Sequence, residues 1–167
     1  ATVDAYNSSL TKTTPANLNR ARRTFASASI NGKALFFGGY YSTYSSAYSG
    51  SPYTDVYNDS LTHTTATNLS NSPWYNAAAS NNNYAINAGG MVRQNYGDGS
   101  HSLVPTAIVN AYNSGLTRSI PTALSEARFD HTAASNGDVV FFAGGSNENG
   151  VYGRSATVDS YNNSLTR

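Results

Sequence analysis

The segment Asp138-Val139-Val140-Phe141-Phe142-Ala143-Gly144-Gly145 decides how this chain folds. Its β-branched and aromatic run suits a strand buried on both faces. The two glycines that end it mark a place where the backbone turns or where another backbone comes close. The same step recurs at Gly38-Gly39 and Gly89-Gly90, in phase with a second signal. Tyr6-Asn7, Tyr57-Asn58, Tyr112-Asn113 and Tyr161-Asn162 follow one another at intervals of 51, 55 and 49 residues. Each is followed by Leu-Thr, at Leu10-Thr11, Leu61-Thr62, Leu116-Thr117 and Leu165-Thr166. An in-phase repeat of this length is the signature of stacked supersecondary units.

Working outward from the glycines, the third repeat gives a first strand over Phe129 to Ser135 and a tight turn at Asn136-Gly137. A second strand runs from Asp138 to Ala143, and a variable polar stretch from Ser146 to Ser155. A third strand covers Ala156 to Tyr161, and a fourth begins at Leu165-Thr166-Arg167. The first repeat matches, with Arg22 to Ile30, a turn at Asn31-Gly32, and Lys33 to Phe37. The second gives Trp74 to Ser80, a turn through Asn81-Asn82-Asn83, and Tyr84 to Ala88, with Asn83 expected in the left-handed place of Gly32. Small residues mark the first strands, at Ala26-Ser27-Ala28, Ala77-Ala78-Ala79 and Ala133-Ala134. They suit the crowded centre of a ring. No segment holds a 3.6-residue period, so helix is not expected. The fold class that follows is all-β, with four antiparallel strands per repeat, as in the blades of a β-propeller.

At these residues the chain resembles the Kelch-repeat family. The likeness is carried by Gly-Gly after an apolar strand, by the Tyr that follows it, by Arg22 and Arg128 opening the first strands, and by His131 near the second of these. It covers essentially the whole chain, and Tyr-Asn-x-x-Leu-Thr is similar to Kelch-like arrays of Gram-positive bacteria and their phages. Two departures stand out. The family's Trp after the Tyr is absent, so Leu10, Leu61, Leu116 and Leu165 are expected to take its packing role, with Leu61 and Leu116 buried in outer strands. Pro73 replaces the Arg of the middle repeat. Asp4, Asp55, Asn110 and Asp159 each precede the Tyr by two residues, and this regular placement implies a structural hydrogen bond in every repeat.

The repeats divide the chain into a partial blade over 1–18, blades over 19–69 and 70–124, and a blade over 125–167 with a truncated last strand. Propellers close with four to eight blades, so about three blades imply completion by a second chain or by further sequence. Thr2-Val3-Asp4-Ala5-Tyr6 and Thr157-Val158-Asp159-Ser160-Tyr161 are nearly the same strand and would compete for one place in a strand exchange.

Composition narrows the function. Only 11% of the residues are charged and the formal net charge is +1, too balanced for binding nucleic acid through phosphate neutralisation. No apolar run approaches the roughly 18 residues of a membrane-spanning helix. There is no Cys, and hence no disulfide framework or thiolate metal site. The 13 Tyr and the abundant Asn, Ser and Thr fit an extracellular, cell-surface or virion protein.

Chemistry is expected in three divergent intrablade loops. Tyr40 to Pro52 carries Tyr40, Tyr41, Tyr44 and Tyr48. Met91 to Pro105 carries Arg93, Tyr96, Asp98 and His101. Ser146 to Ser155 carries Glu148, Tyr152 and Arg154. Tyr offers a flat apolar face and a hydroxyl at low entropic cost, which suits a glycan or a protein ligand. Solvated connection is the alternative use of these loops. Catalysis has little support. His63 and His131 fit structural roles, Asp130 and His131 point to opposite faces as strand neighbours, and Gly97-Asp98-Gly99 lacks the spacing of a calcium loop. No catalytic residue, metal or cofactor is expected. The reading is a noncatalytic recognition module. Its rivals are an assembly module that pairs blades between chains, and a piece of a propeller enzyme whose catalytic residues lie elsewhere. The sequons at Asn7, Asn58 and Asn162 fall at one turn of the repeat, which turn chemistry explains.

Overall fold

The structure is a computed structural model that describes residues 1–43, 46–147 and 153–167. It is all-β, and no helix occurs among the described residues. A hairpin of β1 (Ala5–Tyr6) and β2 (Lys12–Thr13) comes first. Sheet I orders β3 (Ala26–Ile30), β4 (Lys33–Phe37), β7 (Thr54–Asn58) and β8 (His63–Thr65). Between β4 and β7 the chain forms a separate hairpin, β5 (Tyr40–Thr43) and β6 (Ser46–Gly50). Sheet II repeats the plan with β9 (Ala77–Ser80), β10 (Tyr84–Ala88), β13 (Val109–Asn113) and β14 (Arg118–Ser119). Its inserted hairpin is β11 (Met91–Asn95) and β12 (His101–Pro105). Sheet III contains β15 (Thr132–Ser135), β16 (Val140–Ala143) and β17 (Val158–Tyr161). All pairings are antiparallel.

The sheets stack face to face, and the period of two along each second strand shows how. Leu35 and Phe37 of sheet I are fully buried against Ala85 and Tyr112 of sheet II. Ile86 and Ala88 of sheet II are buried against Val140, Phe142 and Tyr161 of sheet III. Odd and even positions therefore face opposite neighbours, which is why the strands are apolar throughout rather than alternating. The small first strands β3, β9 and β15 lie side by side, where little room is left.

The double glycines are the notches of this stack. The Pro73 carbonyl of sheet II accepts from Gly39 N at 2.7 Å, and the Arg128 carbonyl leading into sheet III accepts from Gly90 N at 2.8 Å. A Cβ on Gly38 or Gly89 would lie 2.6 Å from those same carbonyl oxygens, so no side chain fits there. Both glycines also have positive φ, 67° and 63°.

Polar links tie each connecting segment to its sheet. Tyr57, Tyr112 and Tyr161 donate their hydroxyls to the carbonyls of Ala16, Thr67 and Thr122 at 2.7, 2.7 and 2.8 Å. The residue two before each Tyr accepts from a connecting segment, as the sequence implies. Asp55 accepts from Asn19 N, Asn110 from Ser70 N, and Asp159 from Ser125 N. Asp55 also pairs with Arg22 at 2.5 Å and with His63 at 2.6 Å, while Asp159 pairs with Arg128 at 2.9 Å. Arg22 and Arg128 each donate a second bond to a second-strand carbonyl, Phe36 O and Phe142 O. In sheet II, Pro73 stands where the Arg would, and the carboxylate is replaced by the neutral amide Asn110. A buried carboxylate without its cation would be costly, so the two changes belong together.

Several expectations need correction. The first strands begin at Ala26, Ala77 and Thr132, not at Arg22, Trp74 and Phe129. Each is preceded by a left-handed residue, Thr24, Tyr75 or Asp130, with φ of 55°, 55° and 53°, which breaks the strand. Asn31-Gly32 forms the expected two-residue turn, both residues with positive φ. The turn of sheet II spans 81–83, as expected, with Asn81 N donating to Tyr84 O; that of sheet III is four residues long, 136–139, closed by Asn136 N to Val139 O. Asn83 is not left-handed; Asn81 instead caps Asn83 N and Tyr84 N with its side chain.

The Leu residues do not lie in outer strands, although Leu116 and Leu165 pack, partly buried, against the cores between sheets. Leu10, Leu61, Leu116 and Leu165 have φ between 58° and 64° and sit in the turn itself. Leu61 and Leu116 are half-buried, and Leu10 is exposed. The turn is shaped by Asn7, Asn58, Asn113 and Asn162, whose side-chain oxygens accept from the backbone four residues on. Asn113 makes this turn without a sequon, which supports the turn role of the other three. Leu69 and Leu124 of the connecting segments are buried instead.

Two outcomes follow. Asp159→Asn leaves Arg128 buried without a counter-charge and should cost about 3–5 kcal/mol in urea unfolding. The double variant Arg128→Gln/Asp159→Asn should recover part of that loss, whereas additive losses would show that the pair is not coupled. His131 is buried at the junction of sheets II and III, against Gly89 and Phe142. Burial, helped by the Arg128 charge, pushes its imidazole down to about 4. The folded pKa lies below the unfolded one, so the full stability is present above about pH 6.5 and is lost as pH falls toward 4, by up to about 3 kcal/mol. His131→Phe, copying Phe25 of the first repeat, should flatten the melting temperature over this window; an unchanged pH profile would place the titration elsewhere.

Candidate functional site

Three excursions leave the sheets at the same end, where the second strand stops and the first begins. Each is anchored by one backbone bridge: Arg23 to Tyr40, Trp74 to Met91, and Phe129 to Ser146. The first two, expected as irregular loops, are hairpins. Their strands pair in register from Met91↔Pro105 to Asn95↔His101, and from Tyr40↔Gly50 with a register shift after Tyr41. β6 lies beside β11. Gly50 permits this close fit, since a Cβ there would collide with the Ser72 carbonyl and the Trp74 ring.

Aromatic and arginine side chains cluster at this end. The Arg20 guanidinium lies 3.6 Å over the Tyr41 ring, and that of Arg23 lies 5.1 Å over Tyr40. Tyr40 in turn packs edge-on to the buried Trp74 at 6.1 Å. Stacking of this kind holds long cations flat while leaving their edges free to donate. Tyr75, 42% exposed, lies 6.4 Å from the Phe129 ring. Beside it Asp130 is exposed, and its partly desolvated carboxyl is held above the usual range.

The backbone beneath these side chains is strained at equivalent points. Thr24, Tyr75 and Asp130 are all left-handed, and they form a ladder from sheet to sheet: Tyr75 N donates to Thr24 O and Asp130 N to Tyr75 O, both at 3.0 Å. Three non-glycine residues held in this conformation require support from the surrounding structure. The ladder provides it, and it presents Tyr75 and Asp130 at the mouth formed by the first strands.

The structure distributes the expected site residues unevenly. Tyr40 and Tyr41 stand in the arginine stacks. Arg93 and His101 meet across the β11–β12 hairpin at 3.4 Å. Tyr96 is exposed near its tip. Asp98 shapes the tip turn, accepting from Ser100 Oγ at 2.6 Å and Ser100 N at 2.9 Å, and these bonds hold its carboxyl below the usual range. Arg154 is exposed and bridges to Ser146. Tyr48 lies in β6, where only its backbone is described, and Tyr44, Glu148 and Tyr152 lie outside the described residues. The third excursion is clamped at its base by Glu126, which accepts from Ser155 Oγ at 2.5 Å, Thr157 Oγ1 at 3.0 Å and Asn147 Nδ2. These donors hold the Glu126 carboxyl below its ordinary range.

Arg20, Arg23, Tyr75, Phe129 and Asp130 were not among the expected site residues. Thr24, Tyr75 and Asp130 are spaced by 51 and 55 residues, the repeat intervals themselves, so register pointed to the position although nothing marked it as left-handed. His63 is bound to Asp55 and stacks on Tyr57 at 4.9 Å, and His131 is buried while its neighbour Asp130 is exposed. Among the described residues no group of three His, Asp or Glu side chains is placed to hold a metal ion. What the face can do is stack a planar or ring-shaped ligand and bond its edges through guanidinium, hydroxyl and carboxylate groups.

No family model matches the chain, and no curated protein matches it. Among solved structures it is similar to that of YjhT, with a TM-score of 0.74 at 13% sequence identity. The likeness covers 94% of this chain and 48% of that one, so the chain spans about half the length of YjhT. At this identity the likeness is one of fold.

Proposed function

We propose that sheets I to III are successive blades of a Kelch-like β-propeller, with divisions at 1–18, 19–69, 70–124 and 125–167, and that the chain acts as a noncatalytic recognition module at a cell or virion surface. The ligand is a glycan or a protein held on the end of the blades that carries the hairpins. The observation that carries this reading is the row of stacked Arg–aromatic pairs beside the exposed ring of Tyr75. Such flat faces suit sugar rings and protein side chains alike. No cofactor or metal enters it. A fold likeness that spans half of a longer structure fits a chain whose blades continue beyond those described.

A second reading, assembly by pairing blades between chains, is favoured by one observation. Val158 is 60% exposed, while its counterparts Thr54 and Val109 are fully buried by the next sheet. Covering that face would remove on the order of 1,000 Å² from water. Light scattering of the purified chain is expected to give more than one copy per particle at micromolar concentration, and a folded monomer would remove this reading.

Recognition is tested on a glycan array and a surface-protein panel with the wild-type chain and two variants. Tyr75→Asn keeps a residue that tolerates the left-handed backbone but removes the ring; Arg23→Gln removes one stacked cation. Each is expected to weaken binding of any captured ligand at least about tenfold, or 1.4 kcal/mol, with melting temperature nearly unchanged. Ligands bound equally by all three proteins would show that this face is not the site.

A further inference from the structure

The turns that join first to second strands lie at the end of the sheets away from the excursions, and there the two junctions between sheets differ. Segments 26–39, 77–90 and 132–145 are equal in length, so their turns compare place by place. Between sheets II and III the turns are laced together. Asn82 N donates to Gly137 O at 2.7 Å and Asn82 Nδ2 to Asp138 Oδ1 at 2.9 Å. Asn81 Nδ2 donates to Asn162 O and Asn83 Nδ2 to Asn163 O, both at 3.0 Å. In sheet I the places of Asn81 and Asn83 are held by Ile30 and Gly32, which have no amide side chain to extend. The turns of sheets I and II are joined instead by Lys33 Nζ, which donates to Ser114 O at 3.1 Å. The side chains missing from sheet I leave a groove of about 520 Å³, lined by Asn31, Asn82, Asn83, Tyr84, Asn113 and Ser114. Small-molecule sites run from roughly 300 to 1,000 Å³.

Bonds made elsewhere decide which lining atoms remain for a ligand. Asn82 and Asn83 commit their amide nitrogens to sheet III, which leaves their oxygens to accept. Asn113 commits its oxygen to Thr117 N at 3.0 Å, which leaves its nitrogen to donate. Asn31 is exposed in the left-handed turn, with φ of 44°, and offers a whole amide. Ser114 adds a hydroxyl, and Tyr84, held partly buried against the core, adds a ring. The backbone beneath is fixed, because Asn81 Oδ1 accepts from Asn83 N at 3.0 Å and from Tyr84 N at 2.8 Å.

This set is neutral and mixes donors with acceptors. An anion would meet carboxamide oxygens, and a metal cation would find no carboxylate in the lining. A peptide strand would find no free edge, since β4 and β10 are each paired on both sides. Sugar hydroxyls both donate and accept, and a sugar ring can lie against an aromatic face. We infer that the groove between the turns of sheets I and II is a second binding site, for a short neutral saccharide, at the end of the sheets opposite the recognition face.

The test is a proton–nitrogen correlation NMR titration of the whole chain with maltose, lactose and di-N-acetylchitobiose. Saturable shifts from at least one of these sugars are expected at the amides of Asn31, Asn83 and Ser114. The double variant Gly32→Asn/Asp59→Ser copies Asn83 and Ser114 into sheet I. Asn tolerates the positive φ at this place, and the second change removes the carboxylate oxygen that lies 2.5 Å from where the new Cβ would sit. It closes the groove and should weaken the sugar at least about tenfold. Asn31→Gly keeps the turn but removes its amide, and should weaken binding at least about fivefold. No saturable shift with any of the three sugars would overturn the proposal, as would equal affinity of the wild type and both variants. Shifts confined to Tyr40, Tyr75 and Asp130 would put the sugar on the recognition face; the groove site then falls while the recognition reading stands. Equal shifts of the groove amides with triserine would mean that the groove reads peptide rather than sugar, and would also overturn it.

Discussion

The structure depends on one close approach, a carbonyl of each following sheet set into the double glycine of the sheet before it. The contact exists because Gly38 and Gly89 have no side chain: a Cβ at either would collide with the oxygen that the next residue's N–H binds. It fixes the spacing between sheets at the end where the excursions leave. From that spacing follow the interlocking of Leu35 and Phe37 with Tyr112, whose ring centroid lies 5.6 Å from that of Phe37, and the matching set of Ile86 and Ala88 with Phe142. The backbone ladder through Thr24, Tyr75 and Asp130 requires the same spacing. The notch therefore positions the face proposed for recognition as well as the core.

Around this notch the charged groups act as a second, more selective lock. The Arg22–Asp55 and Arg128–Asp159 pairs are buried and tied to backbone carbonyls. Burying such a pair adds little net stability compared with apolar packing, but losing one partner is costly. That asymmetry explains the middle repeat, where cation and anion are both absent and Pro73 and Asn110 stand in their places. It also makes the pair a means of matching one first strand to one third strand.

Much of this was legible in the sequence because the repeat prints each structural demand more than once. The in-phase Gly-Gly steps and Tyr-Asn pairs located the second and third strands, and the regular Asp or Asn two before the Tyr marked a hydrogen bond that each repeat makes. Three things escaped. Left-handed Thr24, Tyr75 and Asp130 share no side-chain chemistry, because the ladder rather than the residue type holds them there, and so the first strands are shorter than the sequence pattern suggests. Leu in Tyr-Asn-x-x-Leu-Thr looked like core because Leu is apolar, yet the Asn cap forces it to a positive φ at the turn. The polar segments after the glycines looked irregular, whereas two of them pair with themselves as hairpins. The candidate site was legible in Tyr40 and Tyr41, and hidden where it depends on Tyr75, Phe129 and Asp130, residues counted as strand.

The face proposed for recognition depends on sheets that are set against one another at shared notches, and the chain itself contains the control for that idea. Gly39 and Gly90 donate to the following sheet, while no following sheet among the described residues covers Gly144 and Gly145, and a Cβ on Gly144 would meet only its own Ser155 carbonyl, at 3.8 Å. Native-state hydrogen exchange of these three amides compares them directly. Gly39 and Gly90 are expected to exchange only through unfolding of the stack, with protection close to that of the strand amides, and Gly145 to exchange far faster. Equal rates at all three would contradict it, since the inter-sheet carbonyls would then contribute nothing to how the sheets are held.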